Sequence, residues 1–96
     1  MGLTPEGRVK KSIQQWLEAR QAYYYFPAQN GRGRVGIPDI IACLPHLNGR
    51  LVAIEVKAPG KRRNTTPGQD REIRWINRAG GIALVVDDVT QLEKLT

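Results

Sequence analysis

Asp39 and Glu55 are the only acidic residues between Ala19 and Gln69, a stretch otherwise rich in lysine and arginine. Each stands in a short motif: Gly36-Ile37-Pro38-Asp39, and Glu55-Val56-Lys57 at the end of an apolar run. A segment that attracts phosphate loses affinity with every carboxylate it carries. Two in this setting ask for a chemical reason. Carboxylate oxygens select hard divalent cations such as Mg²⁺ or Mn²⁺, and a cation beside a lysine is suited to hydrolysing a phosphodiester. The pattern points to Asp39 and Glu55 as metal ligands, with the Val56 carbonyl completing the protein's share. Lys57 is then placed to orient or deprotonate water and to stabilise charge on phosphoryl oxygens.

Such a site needs the two motifs side by side, and a hairpin supplies that. Asp39 to Cys43 and Leu51 to Lys57 read as apolar strands, and Asn48-Gly49 before the second run is a hairpin signal. Alternation should put Ile40, Ala42 and Leu44 on one face with Val52, Ile54 and Val56. The expected register sets Ile40 opposite Val56, Leu44 opposite Val52 and Asp39 opposite Lys57, closed by a three-residue turn Leu47-Asn48-Gly49. Directly opposed residues lie within about 5.5 Å, near enough for carboxylates to share a cation.

The other elements follow from their punctuation. Thr4-Pro5 starts a helix whose apolar stripe is Val9, Ile13, Trp16 and Leu17. A first strand is expected over Ala22 to Phe26, then a glycine-rich loop carrying Arg32 and Arg34. A second basic loop, Ala58 to Asn64, carries Lys61, Arg62 and Arg63. Thr66-Pro67 starts another helix, stopped at Gly80-Gly81. Ile82 to Val86 reads as a strand buried on both faces, and Asp88 as the cap of a short final helix through Leu95. The order is αβββαβ, an α/β fold with a mixed four-stranded sheet flanked by helices.

With 96 residues, one domain spanning 1–96 and one modest core are permitted. A net charge of +6 favours a polyanionic partner, most often nucleic acid. No apolar stretch is long enough to span a membrane, and no signal-peptide pattern opens the chain. The single cysteine, Cys43, rules out an intrachain disulfide and suits a reducing cytoplasm.

The element order, Pro38-Asp39, a gap of 15 residues and Glu55-x-Lys57 together resemble the PD-(D/E)xK nuclease superfamily, and more narrowly its VRR-NUC family. Small stand-alone members of that family occur in phages, so the resemblance implies the cytoplasm of a bacterial host. It also implies an endonuclease acting on DNA by in-line hydrolysis that leaves a 5′-phosphate, with selectivity for branched or Holliday-junction-like substrates. Relatives of this kind often use a first-helix glutamate and a glutamine on the later helix beside the metal. Glu6, on the stripe of Val9 and Ile13, and Gln69, in register with Ile73 and Ile76, match those positions. Their bland alternatives are a dipole-complementing carboxylate and a helix-capping contact near Thr66. Arg32, Arg34, Lys61, Arg62 and Arg63 would hold the DNA backbone. Dimeric junction resolvases among similar proteins imply a homodimer. Size agrees, since a domain this small buries only about 60–65% of its unfolded surface.

Other candidates are weaker. His46 sits in the hairpin turn, away from Asp39. Cys43 reads as a small core residue, and Trp16 and Trp75 as core anchors rather than base-stacking groups. Tyr23, Tyr24 and Tyr25 read as a strand rich in aromatics, and Asp87-Asp88 as a turn. The alternating glycines of Gly31 to Gly36 are not followed by a helix start, so they form no dinucleotide fingerprint. A non-catalytic nucleic-acid-binding module is the alternative function. It accounts for the charge but not for Asp39 and Glu55.

Overall fold

The computed structural model describes residues 2–29 and 34–96. Helix α1 spans Pro5–Ala19, followed by strand β1 at Tyr23–Tyr25, β2 at Ile40–Cys43 and β3 at Val52–Val56. Helix α2 spans Pro67–Arg78, β4 spans Ile82–Val86, and a 3₁₀ segment closes the chain over Val89–Leu95. The expected αβββαβ order is the observed one. The four strands form one sheet in chain order, β1-β2-β3-β4, with the first two pairings antiparallel and the last parallel.

Both helices begin where their caps dictate. Thr4 Oγ1 accepts from the Gly7 amide at 3.0 Å, and Thr66 Oγ1 from the Gln69 amide at 3.1 Å, with proline at the first helical position in each case. Gly80, at φ 104°, follows the last turn of α2. Asp88 caps the terminal segment by accepting from the Thr90 amide at 2.9 Å, and that segment is 3₁₀ rather than α.

Alternation divides the sheet as expected. Ile40, Ala42, Leu44, Val52, Ile54 and Val56 face α1, where Val9, Ile13 and Leu17 meet them, and Leu92 and Leu95 of the terminal segment seal the same core. Helix α2 covers the opposite face over β3 and β4, the face that carries Glu55. The β1–β2 half of that face is open: Tyr23 and Tyr25 are exposed, and Cys43 is half-buried there rather than in the core. Strand β4 is a sheet edge, with Ile82, Leu84 and Val85 half-buried, so it is not buried on both faces as expected.

The hairpin register differs from the expected one by two residues. Ile40 pairs with Ile54 and Ala42 with Val52. Pro45 opens a 3₁₀ turn over Pro45–Leu47, and Asn48 and Gly49 follow at φ 55° and 76°. The connection is therefore longer than a three-residue turn. A shift of two leaves every side chain on its original face, so the apolar row is intact while each partner changes.

Candidate active site

Continuing the observed register by one residue sets Asp39 opposite Glu55 instead of Lys57. Asp39 lies in the bend that enters β2, and its Oδ2 accepts a hydrogen bond from the Val56 amide at 2.8 Å. The approach to this bend is fixed by glycine. Gly36 has φ 88°, and a Cβ there would stand 2.2 Å from the Gly68 carbonyl carbon in the first turn of α2. Only glycine lets the loop before Asp39 lie this close to the helix.

Glu55 is buried at 4% exposure, and its two oxygens differ. Oε2 accepts from Gln69 Nε2 at 3.1 Å and lies 3.8 Å from Lys57 Nζ. Oε1 is buried without a partner among the described residues. Burial foremost, then the neighbouring carboxylate of Asp39, pushes the Glu55 carboxyl up to about 8. Lys57 opposes the rise and the charge of Glu6 adds to it.

Gln69 joins the site to the helix. Its Oε1 accepts from Lys57 Nζ at 3.0 Å and from the Thr66 amide at 3.0 Å, while its Nε2 reaches Glu55. The capping contact and the site contact, alternatives from sequence, are made by one side chain at once. Lys57, the residue after β3, lies two positions beyond Glu55, so their side chains leave the same sheet face, and Gln69 bridges them from above.

The remaining expected residues are placed more loosely. Glu6 is exposed rather than inward on the α1 stripe, because the first turn of the helix lies beyond its buried residues, which begin at Val9. Among the described residues, no three His, Cys, Asp or Glu side chains come together as a metal cluster. Lys61, Arg62 and Arg63 are exposed on the loop after β3. That loop is tied to β4 and the turn after it by Arg62 Nε to the Val85 carbonyl at 3.2 Å and by the Gly60 amide to Asp87 Oδ2 at 3.0 Å. Arg32 lies outside the described residues. Arg34 is committed to Glu72, with Nε to Oε2 at 3.0 Å and Nη2 to Oε1 at 3.4 Å.

Several features were not anticipated from sequence. Glu72 is buried at 4% exposure, where a charged helical residue would be read as solvated. Trp75 is 49% exposed and is not a core anchor, whereas Trp16 packs against the core. The spacing of Arg71, Arg74, Trp75 and Arg78 was the available signal for an exposed basic stripe. His46 keeps to the hairpin turn, where its Nε2 meets the Leu95 carbonyl.

The donor set suits a hard divalent cation. Two facing carboxyls cannot both ionise without repelling, so one of them holds its proton to unusually high pH, and one buried oxygen has no partner among the described residues. A cation between them would relieve all three, and Mg²⁺ is commonly held by only one or two protein carboxylates.

Among solved structures, the chain is similar to a VRR_NUC domain at 32% identity, with a TM-score of 0.72, over 97% of this chain and 95% of that one. A second, a VRR_NUC domain protein, shares the fold at 20% identity and a TM-score of 0.71, over 99% of this chain and 86% of that one. No protein-family model matches the sequence. No curated protein matches it either.

Proposed function

The chain belongs to the VRR-NUC family, and from that premise we propose that this nuclease domain is a Mg²⁺- or Mn²⁺-dependent endonuclease that cuts DNA at the Asp39–Glu55–Lys57 site. The observation that carries this reading is the buried Glu55 Oε1, unpartnered among the described residues and beside Asp39, with a lysine ammonium 3.8 Å from the other oxygen of the same carboxylate. An uncompensated buried carboxylate oxygen is costly, and functional sites are where such costs are retained.

Asp39 and Glu55, with the Val56 carbonyl, would hold the cation. When bound it supplies Lewis acidity toward the phosphate and neutralises charge between the carboxylates. Lys57 is held beside Glu55 by the Gln69 bridge, where Nζ can orient the attacking water and donate to a phosphoryl oxygen as charge builds. The water oxygen forms the new bond to phosphorus, the bond to the departing 3′ oxygen breaks, and a 5′-phosphate remains. Burial of Glu55 excludes bulk water and strengthens each of these interactions. Lys61, Arg62 and Arg63 hold the DNA backbone without reading sequence.

Branched DNA is the preferred substrate in this reading, and a C2 homodimer supplies one site for each of two strands. Sedimentation should give twice the 10.8 kDa of one chain. A monomer that still cleaves, with no pairing on DNA, would rule the dimer out. The test of function is incubation of labelled four-way junction, flap and linear duplex with Mg²⁺, Mn²⁺ or EDTA. Cleavage of branched DNA with either cation and none in EDTA is expected. Cleavage that persists in EDTA contradicts the metal site, and equal cleavage of all three substrates contradicts the selectivity.

A further inference from the structure

Helix α2 carries a surface that the catalytic site does not use. Arg71, Arg74, Trp75 and Arg78 fall at helical positions i, i+3, i+4 and i+7, and together line one shallow groove. All four are exposed. Arg34 comes in from the loop before β2, its guanidinium 5.2 Å from the centre of the Trp75 ring. The same arginine pairs with Glu72, and Arg71 Nε lies 3.9 Å from that carboxylate while its Nη2 donates to the Val35 carbonyl at 3.0 Å. Among the described residues, Glu72 is the one carboxylate paired with these arginines, and it is buried. The surface is left strongly positive around an open indole.

We propose that this face binds unpaired nucleotides, with their phosphates on Arg71, Arg74 and Arg78 and a base stacked on Trp75. Charge complementarity selects a polyanion, and the indole selects one with flat, available rings. A duplex spends its base faces on internal stacking, so only an unpaired base can lie on Trp75. Trp75 is six residues along α2 from Gln69, about 9 Å along the helix axis and about 120° around it. The indole thus lies on a flank of α2 separate from the sheet-facing side that carries Gln69, and a strand leaving Glu55 and Gln69 has to pass around the helix to reach it. Arg34 is held by Glu72 over the Trp75 ring, so the platform is preorganised. The inference rests on the nuclease reading for its choice of polyanion, and it narrows the substrate to DNA that offers a single-stranded arm.

The test uses binding in EDTA, so that it is read independently of cleavage. Two probes are compared, a 12-nucleotide oligo-dT and an abasic deoxyribose-phosphate strand of the same length, which has the charge but no bases. The wild-type protein should prefer oligo-dT by about tenfold, the usual scale of one stacked base. Trp75→Ala should bind both probes alike, Trp75→Phe should keep part of the preference, and oligo-dT should quench tryptophan fluorescence in the wild type but not in Trp75→Phe. Replacing Arg71, Arg74 and Arg78 with Gln should weaken both probes and flatten the salt dependence. Equal wild-type affinity for the two probes overturns the proposal, as does a preference that survives Trp75→Ala or fluorescence that oligo-dT leaves unchanged. Failure of the nuclease reading looks different: the Trp75-dependent preference would remain while no DNA is cut under Mg²⁺ or Mn²⁺.

Discussion

Gln69 Oε1 accepts a hydrogen bond from Lys57 Nζ at 3.0 Å, and the same oxygen completes the N-terminal capping box of α2. The stability of the helix and the position of the lysine are thus coupled through one amide. Gln69→Ala should lower stability by about 1 kcal/mol through the lost cap. It should also slow cleavage by about 10–100-fold, the usual effect of removing a group that orients a metal site. Thr66→Ala removes a capping contact but leaves the Lys57–Gln69–Glu55 bridge, so it should cost similar stability with cleavage near the wild-type rate. Chemical denaturation and single-turnover rates on both variants decide the matter. Equal rates in the two would reduce Gln69 to a cap.

Lys57→Ala separates ligation from chemistry. The variant should still bind Mn²⁺, because the lysine is no ligand, and should turn over at least about 10²-fold more slowly. Calorimetric Mn²⁺ titration beside the cleavage assay checks both halves. A variant that cuts at the wild-type rate removes the lysine from the mechanism.

The metal-free protein should become less stable as pH rises. In the folded state the Glu55 carboxyl is pushed up to about 8 by burial and by Asp39, from an ordinary 4.5. Between those values the folded chain holds a proton that the unfolded chain has released. Stability is therefore fully present below the lower value and is lost as pH climbs through the upper one, by at most about 1.4 kcal/mol per pH unit. Glu55→Gln should remove that component of the slope, and Mg²⁺ should offset it in the wild type by favouring the charged pair. Urea denaturation from pH 5 to 9 in EDTA measures this. Parallel pH profiles for wild type and Glu55→Gln would contradict the buried carboxylate pair.

The parts of the fold legible in the sequence are those with local causes. Thr4 and Thr66 mark helix starts because a side-chain oxygen must satisfy the first free amides, and Gly80 marks a stop because the chain must turn left-handed there. The face of each β2 and β3 residue was legible because alternation has period two. For the same reason the register was legible only to within two residues, and the unforeseen 3₁₀ turn at Pro45–Leu47 decided it. The correction brings Asp39 to Glu55 and leaves Lys57 to Gln69, which is the better arrangement for sharing a cation. Glu72 was not legible, because its burial depends on Arg34, 38 positions away in sequence. Glu6 is exposed rather than inward because a stripe gives direction around a helix but not where the covering sheet ends.

The central claim is that Asp39 and Glu55 act together on one cation to cut DNA. Its most direct test is the cleavage rate of labelled branched DNA under Mg²⁺ by wild type, Asp39→Ala and Glu55→Ala, each confirmed folded by circular dichroism. The wild type should cut, and both variants should be inactive while retaining most of their DNA affinity. Cleavage at near wild-type rate by either folded variant would contradict the account.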